Sequence, residues 1–89
     1  MSYRYSKRIT LSEGDKIKVS QGPYYISSSG IKISMAEKGI AYFVCADEKN
    51  NGIFAKFGGS QRFLYLGQEY RSSDTGTIMR PYKITKLRK

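Results

Sequence analysis

An all-β fold, a small antiparallel barrel or roll of the SH3-like or OB-like kind, is the architecture this sequence predicts. Two observations carry that expectation. Short runs in which apolar and polar residues alternate are separated by Gly, Asn, Ser and Asp from end to end, while helical periodicity is weak throughout. The length of 89 residues is enough for one core and not two, so residues 1–89 read as a single domain.

The elements follow in order. Ile9-Thr10-Leu11 leads into the turn Ser12-Glu13-Gly14-Asp15, after which Ile17 and Val19 point one way and Lys16, Lys18 and Ser20 the other, as a pleated strand requires. Gln21-Gly22-Pro23 breaks that strand, because proline fixes its own φ and biases the preceding residue away from the helical region. Tyr24-Tyr25-Ile26 resumes it. Ser27-Ser28-Ser29-Gly30 is a turn, and Ile31, Ile33 and Met35 then share one face of the next alternating run. Residues 40–45, Ile-Ala-Tyr-Phe-Val-Cys, are the most continuously apolar stretch and are expected to form the central strand, with Cys45, the single cysteine, as a buried small hydrophobe. Asn51-Gly52 suits the positive φ angles of a tight hairpin, and Ile53-Phe54-Ala55-Lys56-Phe57 pairs back across it. Gly58-Gly59-Ser60 turns into 61–66. The polar stretch 67–77 is expected to be a mobile loop, and Tyr82, Ile84 and Leu87 anchor a closing strand. Six or seven strands of about five residues each fit a small barrel. Tyr42, Phe43, Phe54, Phe57, Phe63 and Tyr65 are its aromatic core, with some rings exposed by alternation.

Charge is the functional signal. The last ten residues hold Arg80, Lys83, Lys86, Arg88 and Lys89, the first eight hold Arg4, Lys7 and Arg8, and neither end has an acid, so the ends carry +8 of the formal +9. Between Ile9 and Met79, eight basic residues face seven acidic ones. Cations segregated in this way make a local field that attracts phosphates. Tyr5 and Tyr82 sit among these cations, and tyrosine rings stack on unpaired bases at about 1–3 kcal/mol each. With the first and last strands side by side, as in many small barrels, segments 1–8 and 80–89 would form one nucleic-acid-binding patch. Lys16, Lys18 and Arg62 on outward faces extend it.

Other chemistries find little support. The chain has no His, which removes ordinary Ser-His or Cys-His nucleophile activation and the usual zinc sets. Its acids are scattered in turn-like settings, so an enzyme, a metal site and a cofactor are not expected. No apolar stretch approaches the roughly 20 residues of a membrane span, and the N-terminus has no apolar run to serve as a signal peptide. The expected location is the cytoplasm.

Glu13-Gly14-Asp15-Lys16-Ile17-Lys18-Val19-Ser20-Gln21-Gly22-Pro23-Tyr24 resembles the opening of a KOW motif, as found in ribosomal proteins and transcription elongation factors. In that family Gly-Asp starts an alternating strand that ends in a Gly-Pro-aromatic turn. The resemblance implies an SH3-like barrel that touches RNA, or a ribosomal or transcription complex, through Gly22-Pro23-Tyr24. It covers about residues 13–33. The sequence departs from the family after Tyr24, where Tyr25-Ile26-Ser27 stands in place of an early glycine. The combined expectation is a non-enzymatic nucleic-acid-binding protein, for RNA or DNA, that contacts phosphates through Arg4, Lys7, Arg8, Arg80, Lys83, Lys86, Arg88 and Lys89, with Tyr5, Tyr24 and Tyr82 as stacking rings. The alternative is a protein-interaction module that docks on an acidic protein partner, in a nucleoprotein complex or elsewhere.

Overall fold

The alternation of Lys16-Ile17-Lys18-Val19 sets the centre of the molecule. In the computed structural model, which describes residues 2–6 and 9–87, strand β3 (Lys16–Gln21) buries Ile17 and Val19 and leaves Lys16 and Lys18 in solvent. The predicted cations Lys7, Arg8, Arg88 and Lys89 lie outside the described residues. The same division runs across a five-stranded antiparallel sheet in the order β11-β3-β6-β7-β8, built from β6 (Gly39–Asp47), β7 (Gly52–Phe57), β8 (Ser60–Tyr65) and β11 (Tyr82–Lys86) besides β3. Residues 40–45 do lie in the middle strand, as their apolar content predicts.

On the inner face of this sheet Ile17, Val19, Ala41, Phe43, Ile53, Ala55, Leu64 and Ile84 form one cluster with Tyr82. Their register accounts for this, since Ile17 faces Ala41, Val19 faces Ile84, Phe43 faces Ala55 and Ile53 faces Leu64. Each large side chain so buried contributes roughly 1.5–3 kcal/mol. A hairpin covers the cluster. Strand β1 (Ser2–Ser6) pairs with β2 (Ile9–Ser12), so part of the N-terminal segment read as a basic fringe is a strand. Leu11 from β2 is fully buried, and the Tyr3 ring lies nearly parallel to Phe43 at 6.2 Å.

A second sheet takes up the remaining strands: β4 (Tyr24–Ile26), β5 (Lys32–Ser34), β9 (Tyr70–Arg71) and β10 (Ile78–Met79), in the order β5-β4-β10-β9. It continues the β3–β11 ladder past a bend, because β4 follows β3 and β10 precedes β11. Gln21 and Gly22 make the bend with φ of 62° and 95°. On the other strand Arg80 Nε donates to the Gly22 carbonyl at 3.1 Å. The polar stretch 67–77 thus contains a strand, β9, and Ser72 N–H bonds the Thr77 carbonyl, because paired backbone compensates for few apolar side chains.

Other expectations also differ from the structure. None of the three sheets closes into a barrel: β1 and β2 are used in a separate hairpin and 24–34 and 70–79 in the second sheet, which leaves five strands with β11 and β8 as open edges. Ile31, Ile33 and Met35 are exposed, since β5 is an edge strand with no layer beneath it. Cys45 is exposed as well. Between Phe43 and Cys45 the β6–β7 register slips by one residue, a β-bulge at Val44 that moves Cys45 to the outer face. The second sheet lengthens the molecule to 42 × 25 × 23 Å and gives a radius of gyration of 13.6 Å, against about 12 Å for an ordinary chain of this length.

Gly22 separates two costs that glycine avoids. A Cβ there would meet Ala36 and the Tyr82 ring at 2.6 Å, at a positive φ, whereas Gly30, also at positive φ, has nothing within 4 Å. Gly22→Ala should therefore lower stability by about 2–4 kcal/mol, strain and overpacking together, and Gly30→Ala by about 1 kcal/mol. Urea denaturation of the two variants compares them, and equal losses would contradict the packing at the bend.

Candidate functional site: the outer face of the five-stranded sheet

Because β3 has a period of two, the burial of Ile17 and Val19 forces Lys16 and Lys18 onto the opposite face. The register carries that face across the sheet. Lys16 lies opposite Tyr42, Tyr42 opposite Lys56, and Lys56 opposite Gln61, which makes one row over four strands. The next row is Thr85, Lys18 and Ile40, and the last pairs Lys83 with Ser20. Lys16, Lys18, Lys56 and Lys83 are all exposed, Ile40 is 44% exposed and Tyr42 46%. Strand spacing of about 4.8 Å puts the Lys16 and Lys56 backbones about 10 Å apart, one on either side of the Tyr42 ring.

Across these rows no strand residue is acidic. Acids stand only at the margins: Glu13, in the β2–β3 turn, borders the Tyr42–Lys56 hollow, and Asp47 lies at the far end of β6. Between them the aromatic row continues with Phe54 opposite Phe63, whose rings meet edge to face at 5.5 Å. An open sheet face whose lysine rows bring no acid between Lys16, Lys18, Lys56 and Lys83, with the Tyr42 phenol exposed between Lys16 and Lys56, can neutralise phosphates and offer a ring to a flat base.

The other predicted contacts are dispersed. Lys86 is occupied: its Nζ donates to the Thr10 carbonyl at 3.0 Å and lies 3.3 Å from Asp15, whose carboxylate also accepts the Ser12 N–H at 2.7 Å. It thus clamps the closing strand to the β2–β3 corner. This contact brings residue 86 beside Thr10 of β2. Arg80 is a strut of the bend, its guanidinium 4.9 Å from the Tyr24 ring centre. Lys32 Nζ lies 4.4 Å from the same centre. Both cations hold the Tyr24 ring, which is half-buried rather than presented on a loop. Arg62 is on the inner face, 3.6 Å from Glu37. Arg4 is exposed on β1 and shares a shallow hollow with Cys45 and Glu48.

Tyr82 and Tyr5 are corrections of another kind. Tyr82 is 7% exposed and belongs to the core, and Tyr5 packs against it, because residues of β11 and β1 at these positions face inward. Neither ring is a free stacking surface. The exposed rings of the outer face are Tyr42 and Phe63, with Lys56 opposite Tyr42, and the alternation of 53–57 already marks Lys56 as outward. Among the described residues no group of three or more Cys, Asp or Glu side chains could hold a metal ion, and no helix is long and apolar enough to cross a membrane. No family model, no curated protein and no solved structure matches this chain.

Burial raises the Tyr82 phenol above its ordinary 10.0; the Glu37 backbone amide offsets part of this and the Glu37 charge adds to it. Tyr3 is raised as well, first by burial and then by Glu48 and Tyr5. A phenol whose folded pKa lies above its unfolded one lends stability that is complete below pH 10 and disappears as pH rises through the folded values. Urea midpoints should therefore drop above about pH 10, and Tyr82→Phe should drop less than the parent. Parallel curves for parent and variant would show that Tyr82 has no part in the alkaline loss.

Proposed function

We propose that this protein binds nucleic acid without catalysing a reaction on it, and that the outer face of the five-stranded sheet is the contact surface. The observation that carries this reading is the placement of Lys16 and Lys56 on either side of Tyr42, with Lys18 and Lys83 in the adjoining rows of the same face and no acid on the strand positions between them. Lysine neutralises phosphates as a point charge, and counterion release makes the affinity depend on salt. The terminal cations Lys7, Arg8, Arg88 and Lys89 add long-range attraction. Kinship with the KOW-motif family would favour RNA and would make the five-stranded sheet an opened relative of the SH3-like barrel. Strand β3, which carries that resemblance, presents both Lys16 and Lys18.

A second reading, docking of an acidic protein, has its own support. Ile26, Ile31, Ile33 and Met35 are exposed on the second sheet, whose strand β5 is an open edge able to accept an added strand. Comparing a single-stranded oligonucleotide, a duplex and an acidic polypeptide at one ionic strength separates the two readings. Nucleic-acid binding predicts preference for an oligonucleotide over the polypeptide, and a protein partner predicts the reverse.

Neutralising Lys16, Lys18, Lys56 and Lys83 to Gln should reduce the slope of log affinity against log salt by about 3 on a single strand, at roughly 0.7 per phosphate contact. Lys38→Gln with Arg71→Gln, exposed residues elsewhere, should change it little. Charge substitution is the appropriate test, since deleting 80–89 would remove Tyr82 and Ile84 from the core. An unaltered slope in the fourfold variant would remove the sheet face as the contact surface.

A further inference from the structure

Beyond the lysine rows, the outer face ends in an open groove of about 540 Å³. Phe54, Phe63 and Tyr65 of the sheet form its floor, Tyr70 and Met79 of the second sheet its far side, and Asp47, Lys49 and Asn50 its head. Two edge-to-face pairs shape it: Phe54 with Phe63, and Tyr65 with Tyr70 at 5.7 Å and 85°. The geometry points to a seat for one unpaired nucleobase bearing an exocyclic amino group, adenine, cytosine or guanine rather than thymine or uracil, on a strand whose phosphates follow the lysine rows. This inference rests on the nucleic-acid reading above and specifies its ligand.

Three features favour a base over other occupants. First, the groove offers ring surface. Phe63 is 37% and Tyr70 51% exposed, and stacking on such rings accepts any flat heteroaromatic. Second, its head is polar. Asn50 Nδ2 donates to Asp47 Oδ2 at 2.8 Å, which leaves the second Asp47 oxygen and the Asn50 carbonyl oxygen without a partner among the described residues. Two acceptors select an amino donor and oppose the carbonyl edge of thymine or uracil. Third, the groove is open to solvent, whereas a free small molecule is held by burying most of its surface. A base tethered to a backbone already bound by lysines gains from effective concentration instead. Register supports that continuity, because Phe54 is two residues from Lys56 on the same face of β7, roughly 7 Å along the strand. Lys49 at the rim can take the adjoining phosphate.

The experiment measures binding of the full chain to short oligo-dA, oligo-dC and oligo-dT and to an abasic sugar-phosphate strand of equal length, by fluorescence anisotropy at one salt concentration. A 2-aminopurine substitution in oligo-dA reports stacking through quenching. The parent should prefer oligo-dA and oligo-dC to oligo-dT, bind the abasic strand more weakly, and quench 2-aminopurine. Phe63→Leu, which keeps apolar bulk but removes the ring, and Tyr70→Leu should each weaken oligo-dA binding by about five- to hundred-fold. Both should leave abasic binding and the salt slope unchanged. Asp47→Ala should erase the preference for amino-bearing bases. Equal affinity of the parent for the abasic strand and oligo-dA, or ring variants that bind oligo-dA like the parent, would overturn the base seat and leave the lysine-face reading standing. Loss of the seat's effects together with an unaltered slope in the fourfold lysine variant would overturn both, as would the absence of binding to any strand.

Discussion

The β3–β11 ladder must change direction at Gln21 and Gly22, and the rest of the structure depends on how that bend is held. Both residues sit at positive φ, a region that side-chain-bearing residues enter at a cost. The bend survives because the surrounding atoms leave no alternative: the Tyr82 ring and Ala36 occupy the space a Cβ would need, and Arg80 crosses from the opposite strand to the Gly22 carbonyl. One continuous ladder thereby becomes two sheets. The first packs an apolar face under the β1–β2 hairpin, and the second extends from it with few buried side chains. The lysine rows on the outer face of the first remain open to solvent.

Which side chains reach that outer face is decided by pleat and bulge together. Along β3 the pleat alone suffices. Along β6 the extra residue at Val44 shifts the phase, so that Ala41, Phe43 and Ala46 face the core while Tyr42 and Cys45 face outward. The face collects like charges that repel one another, but exposed lysines about one strand spacing or more apart in water interact weakly and are screened by salt. Their clustering costs little stability. It also leaves a surface with unspent electrostatic potential, which is what a polyanion recognises.

Cations elsewhere in the molecule serve the fold. Lys86 joins Asp15 and Thr10, Arg80 ties the bend, and Lys32 covers the Tyr24 ring. Lys86, Arg80 and the four lysines of the outer face carry the same charge and differ only in what their backbone position brings within reach. A count of terminal charge therefore does not separate cations tied into the fold, such as Lys86 and Arg80, from lysines left in solvent. Lys56 comes from a stretch whose net charge is nearly balanced.

By itself, the sequence determined the all-β class, the turns at Gly14 and Gly22, and the two faces of β3, because these follow from backbone restrictions and a period of two within a few residues. At the expected Asn51-Gly52 hairpin, by contrast, only Asn51 takes a positive φ and Gly52 already begins β7. Tertiary structure alone decided that Tyr82 is core and Tyr42 surface, that Cys45 is exposed, and that Ile31, Ile33 and Met35 have no layer beneath them. It also decided that the sheets stay open. Alternation states that a strand has two faces but not which one is covered, and a one-residue slip such as that at Val44 exchanges them downstream. The groove lined by Phe54, Phe63, Tyr65 and Tyr70 was illegible for the same reason: its rings come from the successive strands β7, β8 and β9, but alternation alone does not say that Phe54, Phe63 and Tyr65 share the uncovered face or that Tyr70 meets Tyr65 there.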